Sequence, residues 1–259
     1  MKAVDAMMGQ FEVVHALALR ETRTRFGAHK LGFFWALVEP SIFILTFFVL
    51  FKLGGRDAPV GMTLFSFMAT GVIPYLIFAN TVNRVAESIN GNKSLLFYPQ
   101  VNPLDVVFAR AFLEFTTYAG VFMILMGIES LYLQQLTISD PLLVLMSFVL
   151  ASLLGTGLGL VFCGLAQFSN AVDRARGPIM RPFFWVSGIF FTAAGLPPEA
   201  RQHMLHNPVL HLTELSRAGW FDRYEQTHAD PLLVLTWSVG LLLLGLTLER
   251  VVRRKIEVT

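Results

Sequence analysis

The stretch 21-ETRTRFGAHKLGFFWALVEPSIFILTFFVLFKL-53 decides the fold. From Phe34 to Leu53 it is apolar apart from Glu39, Lys52 and a few hydroxyls. About 20 such residues cross a hydrocarbon core of about 30 Å. Arg23, Arg25 and Lys30 crowd the approach, and cations gathered before an apolar run mark the cytoplasmic end of a span. Further upstream, Phe11, Val14, Leu17 and Ala18 fall at helical spacing, followed by Arg20, Arg23 and Arg25. An apolar stripe with basic flanks lies in the membrane plane and attracts anionic headgroups. Glu39-Pro40 stands out against this background. A carboxylate is costly inside a membrane helix, and proline deletes a backbone hydrogen bond there. Glu39 lies close to the cytoplasmic mouth, so pairing with a nearby Arg or Lys is expected, ahead of a proton-carrying role.

The rest of the chain repeats the pattern. Of 259 residues, 54% are hydrophobic and 15% charged, against about 25% charged in a typical soluble domain. Mean hydropathy is +0.60. Six membrane segments are expected: Phe34–Leu53, Thr63–Val82, Leu104–Gly127, Pro141–Phe168, Pro182–Leu196 and Pro231–Leu248. Basic residues collect in alternate connections. The leader, the Val82–Leu104 connection (Arg84, Lys93), the Ser169–Arg181 connection (Arg174, Arg176, Arg181) and the tail (Arg250, Arg253, Arg254, Lys255) hold most of them. Positive charge stays inside, so both termini are expected in the cytoplasm. The expected fold class is an all-α membrane protein with six transmembrane helices. Residues 1–33 would form a cytoplasmic amphipathic interface helix, and residues 34–259 a single membrane domain. A cleavable signal would be shorter, earlier and followed by a cleavage site, so none is expected. Cys163 is the only cysteine, which excludes an intramolecular disulfide.

The fifth segment is short and ends in Leu196-Pro197-Pro198-Glu199. The following "ARQHMLHNPVLHLTELSRAGWFD" is amphipathic but too polar to cross. Asn207-Pro208 reads as a helix start, since Asn caps and proline suits the first turn. Pro197 opens another short helix in the same way. Residues 197–230 are therefore expected to dip into the outer leaflet and return, or else to lie outside as an interfacial loop. Irregular backbone at membrane depth requires protein or water partners.

Chemical motifs are sparse. Gly55 and Gly61 have phosphate-loop spacing, but Met62 stands where lysine is required, and "GNKS" at 91–94 has the wrong order. No His-Glu-x-x-His or cysteine pair supports a metal site. His203, His206 and His211 read as surface or packing residues. No nucleophile lies beside a base at readable spacing, so no catalytic residue, metal or cofactor is expected in this chain. Gly155 and Gly159 share one face of the fourth segment and permit close helix approach. Phe34 and Trp35, and Phe183, Phe184 and Trp185, suit interfacial anchoring or a path for sugar rings. In "AESINGNKSLLFYPQVNPLD", Ile89, Leu95, Leu96 and Phe97 are apolar among polar Glu87, Asn90 and Asn92, and Pro99 and Pro103 end the pattern. An exposed apolar patch on such a loop marks an interaction site, fit for a groove on a soluble partner.

Three stretches, "RETRTRFGAHKLGFFWALVEP", "GVIPYLIFANTVNRVAESINGNKSLLFYPQVNPLDVVFAR" and "NPVLHLTELSRAGWF", together resemble the permease subunit of ABC exporters for polysaccharides. The resemblance is nearest to the inner-membrane subunit of capsular polysaccharide export in Gram-negative bacteria, with O-antigen exporters as looser relatives. It implies a homodimer of six-helix subunits in the inner membrane, joined to two ATP-binding subunits that carry the ATP and Mg. It implies that about 87–99 holds a coupling helix with Glu87, Ile89, Asn92, Leu95, Leu96, Phe97 and Pro99 facing the ATPase. The loop after Pro197 matches the family's re-entrant region. The first and fifth spans would border a channel, with Phe34, Trp35, Phe183, Phe184 and Trp185 along it. Arg23, Arg25, Lys30, Arg84, Arg174, Arg176 and Arg181 would attract the anionic terminus of a lipid-linked acidic polysaccharide. A periplasmic co-polymerase would continue the route, and no nucleic acid is involved. Export of O-antigen or another glycan is the alternative. A proton-driven carrier fits less well, because Glu39, Arg110 and Glu114 are few and mostly near the inner side. A sugar-transferring membrane enzyme lacks a catalytic constellation.

Overall fold

The computed structural model describes residues 13–24, 30–59, 61–92, 102–135, 138–222, 224 and 228–257; for 30–33 and 253–257 it describes the backbone alone. Leu95, Leu96, Phe97, Pro99 and Arg25 lie outside the described residues, as does the side chain of Lys30. Every regular element among the described residues is helical. In chain order these are α1 (13–24), α2 (Lys30–Leu53), α3 (Leu64–Ala86), a 3₁₀ turn (Asn90–Asn92), α4 (Pro103–Leu133) and α5 (Pro141–Ala166). They are followed by α6 (Ala171–Val186), α7 (Pro198–Met204), α8 (Pro208–Trp220) and α9 (Pro231–Glu257). Five of these helices, α2, α3, α4, α5 and α9, are long and apolar enough to cross a membrane.

Four helices begin at an Asn-Pro or Asp-Pro pair. Asn102 forms a capping box with Asp105 at the start of α4, and Asp140 accepts from the Leu142 and Leu143 amides at α5. The Asn207 side chain accepts from Val209 at α8, and that of Asp230 from Leu232 and Leu233 at α9. The side-chain oxygen satisfies an orphan amide, while proline at N1 sacrifices a donor that had no partner. Pro40 and Pro74 lie within helices that continue past them. Pro40 is buried; Glu39 is exposed, and it forms no ion pair with any of the other described residues. The expected partner for Glu39 is thus not found among them.

α3 is the most buried of the five long helices and α5 follows it, while α2 and α9 are largely exposed along their apolar lengths. α5 carries glycine on two faces. A Cβ at Gly155 would lie 2.7 Å from the Phe78 carbonyl of α3, and one at Gly159 2.7 Å from Val85 Cβ. On the other face, Gly157 and Gly164 meet Leu241 and Leu248 of α9 at 2.9 and 2.7 Å. Lipid tails are as apolar as leucine, so helices in a membrane associate through close packing of this kind. These two seams hold α3, α5 and α9 as a stack.

The fifth expected segment departs from this order. Pro182–Leu196 is not one helix: α6 begins at Ala171, eleven residues earlier, and ends at Val186. The basic connection with Arg174, Arg176 and Arg181 is therefore helical. Its two prolines, Pro178 and Pro182, fall inside α6 without stopping it. The apolar run Ser187–Leu196 leaves the helix and continues as irregular backbone to α7.

Candidate translocation and coupling site

Irregular backbone among apolar helices presents unpaired carbonyls and amides, each costing several kcal/mol in hydrocarbon. α8 supplies the partners. Every residue of α8 from Val209 to Trp220 is buried, including Glu214 and Arg217. Arg217 donates from Nη1 to the Phe191 carbonyl at 2.9 Å and from Nη2 to the Ile189 carbonyl at 3.0 Å. Glu214 accepts the Ala193 amide at 3.0 Å and the Tyr224 hydroxyl at 2.6 Å. Thr213 donates to the Ser187 carbonyl at 2.9 Å, and Asn207 to the Val186 carbonyl at 2.9 Å. Asn207 at the N-cap and Thr213, Glu214 and Arg217 within α8 thus follow the unwound segment. The charges balance locally, with Arg217 Nη1 3.7 Å from Glu214 Oε1. Burial pulls the Arg217 guanidinium below its ordinary range, and the neighbouring Glu214 opposes that pull. Gly188 sits at φ +78°, and Gly71 of α3 leaves room for Arg217 and Ile189 to pass.

This burial refines the expectation for residues 197–230. α8 is enclosed by protein, packing against α5, α3 and α9. Nearby His211 is likewise buried: its Nε2 lies 2.8 Å from the Leu205 carbonyl, and its Nδ1 accepts from the Asp230 amide at 3.0 Å. His203 and His206 are exposed, and no metal-ligand cluster occurs among the described residues. Glu214, Arg217 and Tyr224 were absent from the expected site. The legible signal was "TELSR": a carboxylate and a guanidinium three residues apart, on one helix face.

At the opposite ends of the long helices a second polar cluster forms. Its centre is the short loop after α3. Glu87 pairs with Arg176 of α6 at 2.5 Å. Ser88 lies 3.6 Å from the Cys163 sulfur of α5, and Asn90 accepts from Gln167 at 3.1 Å. Asn92 accepts from Arg20 of α1 at 3.3 Å. Beneath the loop, Arg110 of α4 pairs with Glu21 of α1 at 3.0 Å and donates to the Arg84 carbonyl at 2.8 Å. Arg84 pairs with Glu114 at 3.4 Å. Ile89 is buried under this cluster.

The cluster sorts the cations expected to meet substrate. Arg84 and Arg176 already hold carboxylates of this chain. Arg23, Arg174 and Arg181 are exposed, and none has an ion-pair partner among the described residues. The aromatics divide as well. Phe34, Trp35 and Trp185 are 58%, 64% and 60% exposed. Phe183 and Phe184 are half-buried: Phe183 meets Phe78 of α3, and Phe184 meets Tyr75 of α3 and Phe43 and Phe47 of α2. Arg174, Arg181 and Trp185 recur at seven and four residues, so they fall on one side of α6.

Five helices long and apolar enough to cross a membrane, the buried helix α8 and the polar hub together describe a helical membrane protein. The chain belongs to the ABC-2 type transporter family, whose pattern matches residues 12–221. It is 30% identical over 237 residues to the polysialic acid transport protein KpsM of Escherichia coli, covering 92% of each chain. It is 30% identical to the capsule polysaccharide export inner-membrane protein CtrC of Neisseria meningitidis serogroup A, covering 94% of this chain and 92% of that one. It is also 30% identical to the capsule polysaccharide export inner-membrane protein BexB of Haemophilus influenzae, covering 96% and 94%.

Proposed function

We propose that this chain is the membrane-spanning subunit of an ATP-driven exporter that carries lipid-linked acidic capsular polysaccharide across the bacterial inner membrane. The observation that carries the reading is the end-to-end match, over nine-tenths of both chains, to relatives named for polysialic acid transport and capsule polysaccharide export. The working unit is a homodimer with two separate ATP-binding subunits, which supply ATP hydrolysis, and a periplasmic co-polymerase receives the polymer. Both termini are cytoplasmic, which puts the hub around Glu87–Asn92 on the inner side and α7 and α8 on the outer side. α6 and the irregular segment after it make the fifth crossing in two pieces.

In this scheme the loop after α3 begins the docking surface for the ATP-binding subunit. Glu87 and Asn92 anchor that surface from within the permease, and the partner meets the apolar residues that follow. Arg23, Arg174 and Arg181 carry charge that is free to attract an anionic chain end. Phe34, Trp35 and Trp185 offer exposed ring faces to sugars. Phe183 and Phe184 support the path from behind by packing α6 on α2 and α3.

The test is complementation in a capsulated strain lacking its own subunit. Restored surface capsule, dependent on an intact ATP-binding subunit, is expected. Restored export with the ATP-binding subunit's phosphate loop inactivated would overturn the reading, as would glycan movement or ATP hydrolysis by the purified chain alone in vesicles.

A further inference from the structure

α6 is weakly held by packing. Among its described residues only Met180 is buried, and a Cβ at Gly177 would touch nothing within 4 Å. Its outer end rests on the bundle through Phe183 and Phe184. Its inner half is fastened differently. The Arg176 side chain is only 11% exposed and donates from Nη2 to Glu87 at 2.5 Å and from Nη1 to Asp173 at 3.3 Å. Asp173 belongs to α6 itself, so it fixes the rotamer of Arg176 and aims the guanidinium. Glu87 is the contact that leaves the helix. A guanidinium held between two carboxylates is directional, and charge-assisted bonds are about twice as strong as neutral ones.

Glu87 is also the first residue of a loop with several tethers. Ser88 and Asn90 face the end of α5, and Asn92 faces α1. Displacement of this loop therefore loads α1, α5 and α6 together. α5 is locked between α3 and α9 by its glycine seams, so it resists. α6 lacks such a seam and carries Pro178 and Pro182 between its two supports. Each proline removes one helical hydrogen bond and permits bending there.

We propose that the Arg176–Glu87 pair is the positioning link through which movement of the loop after α3 swings the inner half of α6. This rests on the docking surface beginning at Glu87, as proposed above. α6 acts as a lever that bends near Pro178–Pro182, with its fulcrum at Phe183 and Phe184. Arg176 then serves coupling and not polymer capture, which falls to Arg174 and Arg181.

Charge reversal tests the link. Arg176→Glu and Glu87→Arg are each expected to cut export at least tenfold while the associated ATP-binding subunit still hydrolyses ATP. The double reversal, combined with Asp173→Asn to remove the like charge beside position 176, should recover export to within about threefold of the unaltered chain. Arg176→Lys should retain more export than Arg176→Gln at equal membrane levels, which a purely structural role would not require. Full export by the single variants, or that combination no better than either single, would overturn the link. If reversal blocks insertion, spin labels on Arg174→Cys and Leu243→Cys in Arg176→Gln give the second reading. Nucleotide should change their separation in the unaltered pair and leave it unchanged in that variant; an equal change in both would overturn the proposal. If no ATP-binding subunit binds the unaltered chain, the docking surface falls and the link with it. If one binds and hydrolyses ATP but the reversal fails, only the link falls.

Discussion

The guanidinium carbon of Arg217 lies 4.0 Å from the ring centroid of Phe67, so a buried cation sits on an aromatic face of α3. The same group holds the carbonyls of Ile189 and Phe191 and faces Glu214. Four demands therefore meet in one side chain: a charge to balance, two acceptors to satisfy and a ring to cover. Breaking a buried pair by removing one partner costs about 3–5 kcal/mol, because the survivor is left charged and unpaired. Arg217→Met keeps volume and loses everything else. It should lower the thermal midpoint in detergent sharply, while Arg174→Met, on an exposed position, should leave it nearly unchanged. Comparable midpoints for the two variants would show that α8 does not hold the unwound segment.

Gly188 and Gly55 make a matched pair for the backbone beside Arg217. Both have positive φ, +78° and +66°, where a Cβ costs about 1–2 kcal/mol. At Gly55 a Cβ would meet nothing within 4 Å, whereas at Gly188 it would lie 2.5 Å from Leu210 Cδ1 and 2.7 Å from Thr213 Oγ1. Thr213 cannot retreat without releasing the Ser187 carbonyl. Gly188→Ala should therefore destabilise the chain by about twice as much as Gly55→Ala or more, read as the difference in thermal midpoint. Equal effects would mean that the unwound segment shifts freely.

The spans α2, α3, α4, α5 and α9 were legible because hydropathy and length report burial in lipid directly. The start of α8 was legible because Asn207-Pro208 is a local signal, and its capping bond needs no distant residue. The extent of α6 was not. Arg174, Arg176 and Arg181 interrupt its hydropathy, so the segment was started at Pro182, eleven residues too late. The break after Val186 was equally hidden, since "SGIFFTAAG" is apolar enough to continue a span. It becomes irregular because Gly188 turns to positive φ and because Arg217, Glu214 and Thr213, more than twenty residues later, satisfy the exposed backbone. Hydropathy windows carry no information about such long-range partners. The pairing of Arg84 and Arg176 with carboxylates was invisible for the same reason.

Tyr224 gives the packing around α8 a pH dependence. Burial first, and then the adjacent Glu214 carboxylate, push its phenol well above the usual tyrosine range. The fold therefore binds the phenolic proton more tightly than the unfolded chain, whose tyrosines ionise near pH 10. The resulting stabilisation is fully present below about pH 10 and is lost as the pH climbs beyond it. Tyr224→Phe lacks the proton and should show a flatter decline of thermal midpoint between pH 9 and 11, roughly speaking. At neutral pH the same variant should be less stable by about 1–3 kcal/mol, since Glu214 loses a buried donor. Parallel curves for the two proteins would place the Tyr224 hydroxyl in water.

Arg174 and Arg181 are the cations of α6 that no carboxylate among the described residues engages. They lie two helical turns apart, on the side that also bears Trp185. Fixed charge beside a path raises the local concentration of an anionic chain by about tenfold or more, and salt screens the effect. It must do so without a tight clamp, because a site that binds too well cannot release its cargo. Two separated, exposed guanidiniums meet that condition. Arg174→Gln with Arg181→Gln should lower export of an acidic polymer about fivefold or more, and each single change should do less. ATP hydrolysis by the partner should persist, since neither residue belongs to the docking surface proposed to begin at Glu87. Surface polysaccharide quantified against membrane-inserted chain is the measurement. Unchanged export by the double variant would remove both residues from the path and leave Arg23 and the exposed aromatics as its remaining described candidates.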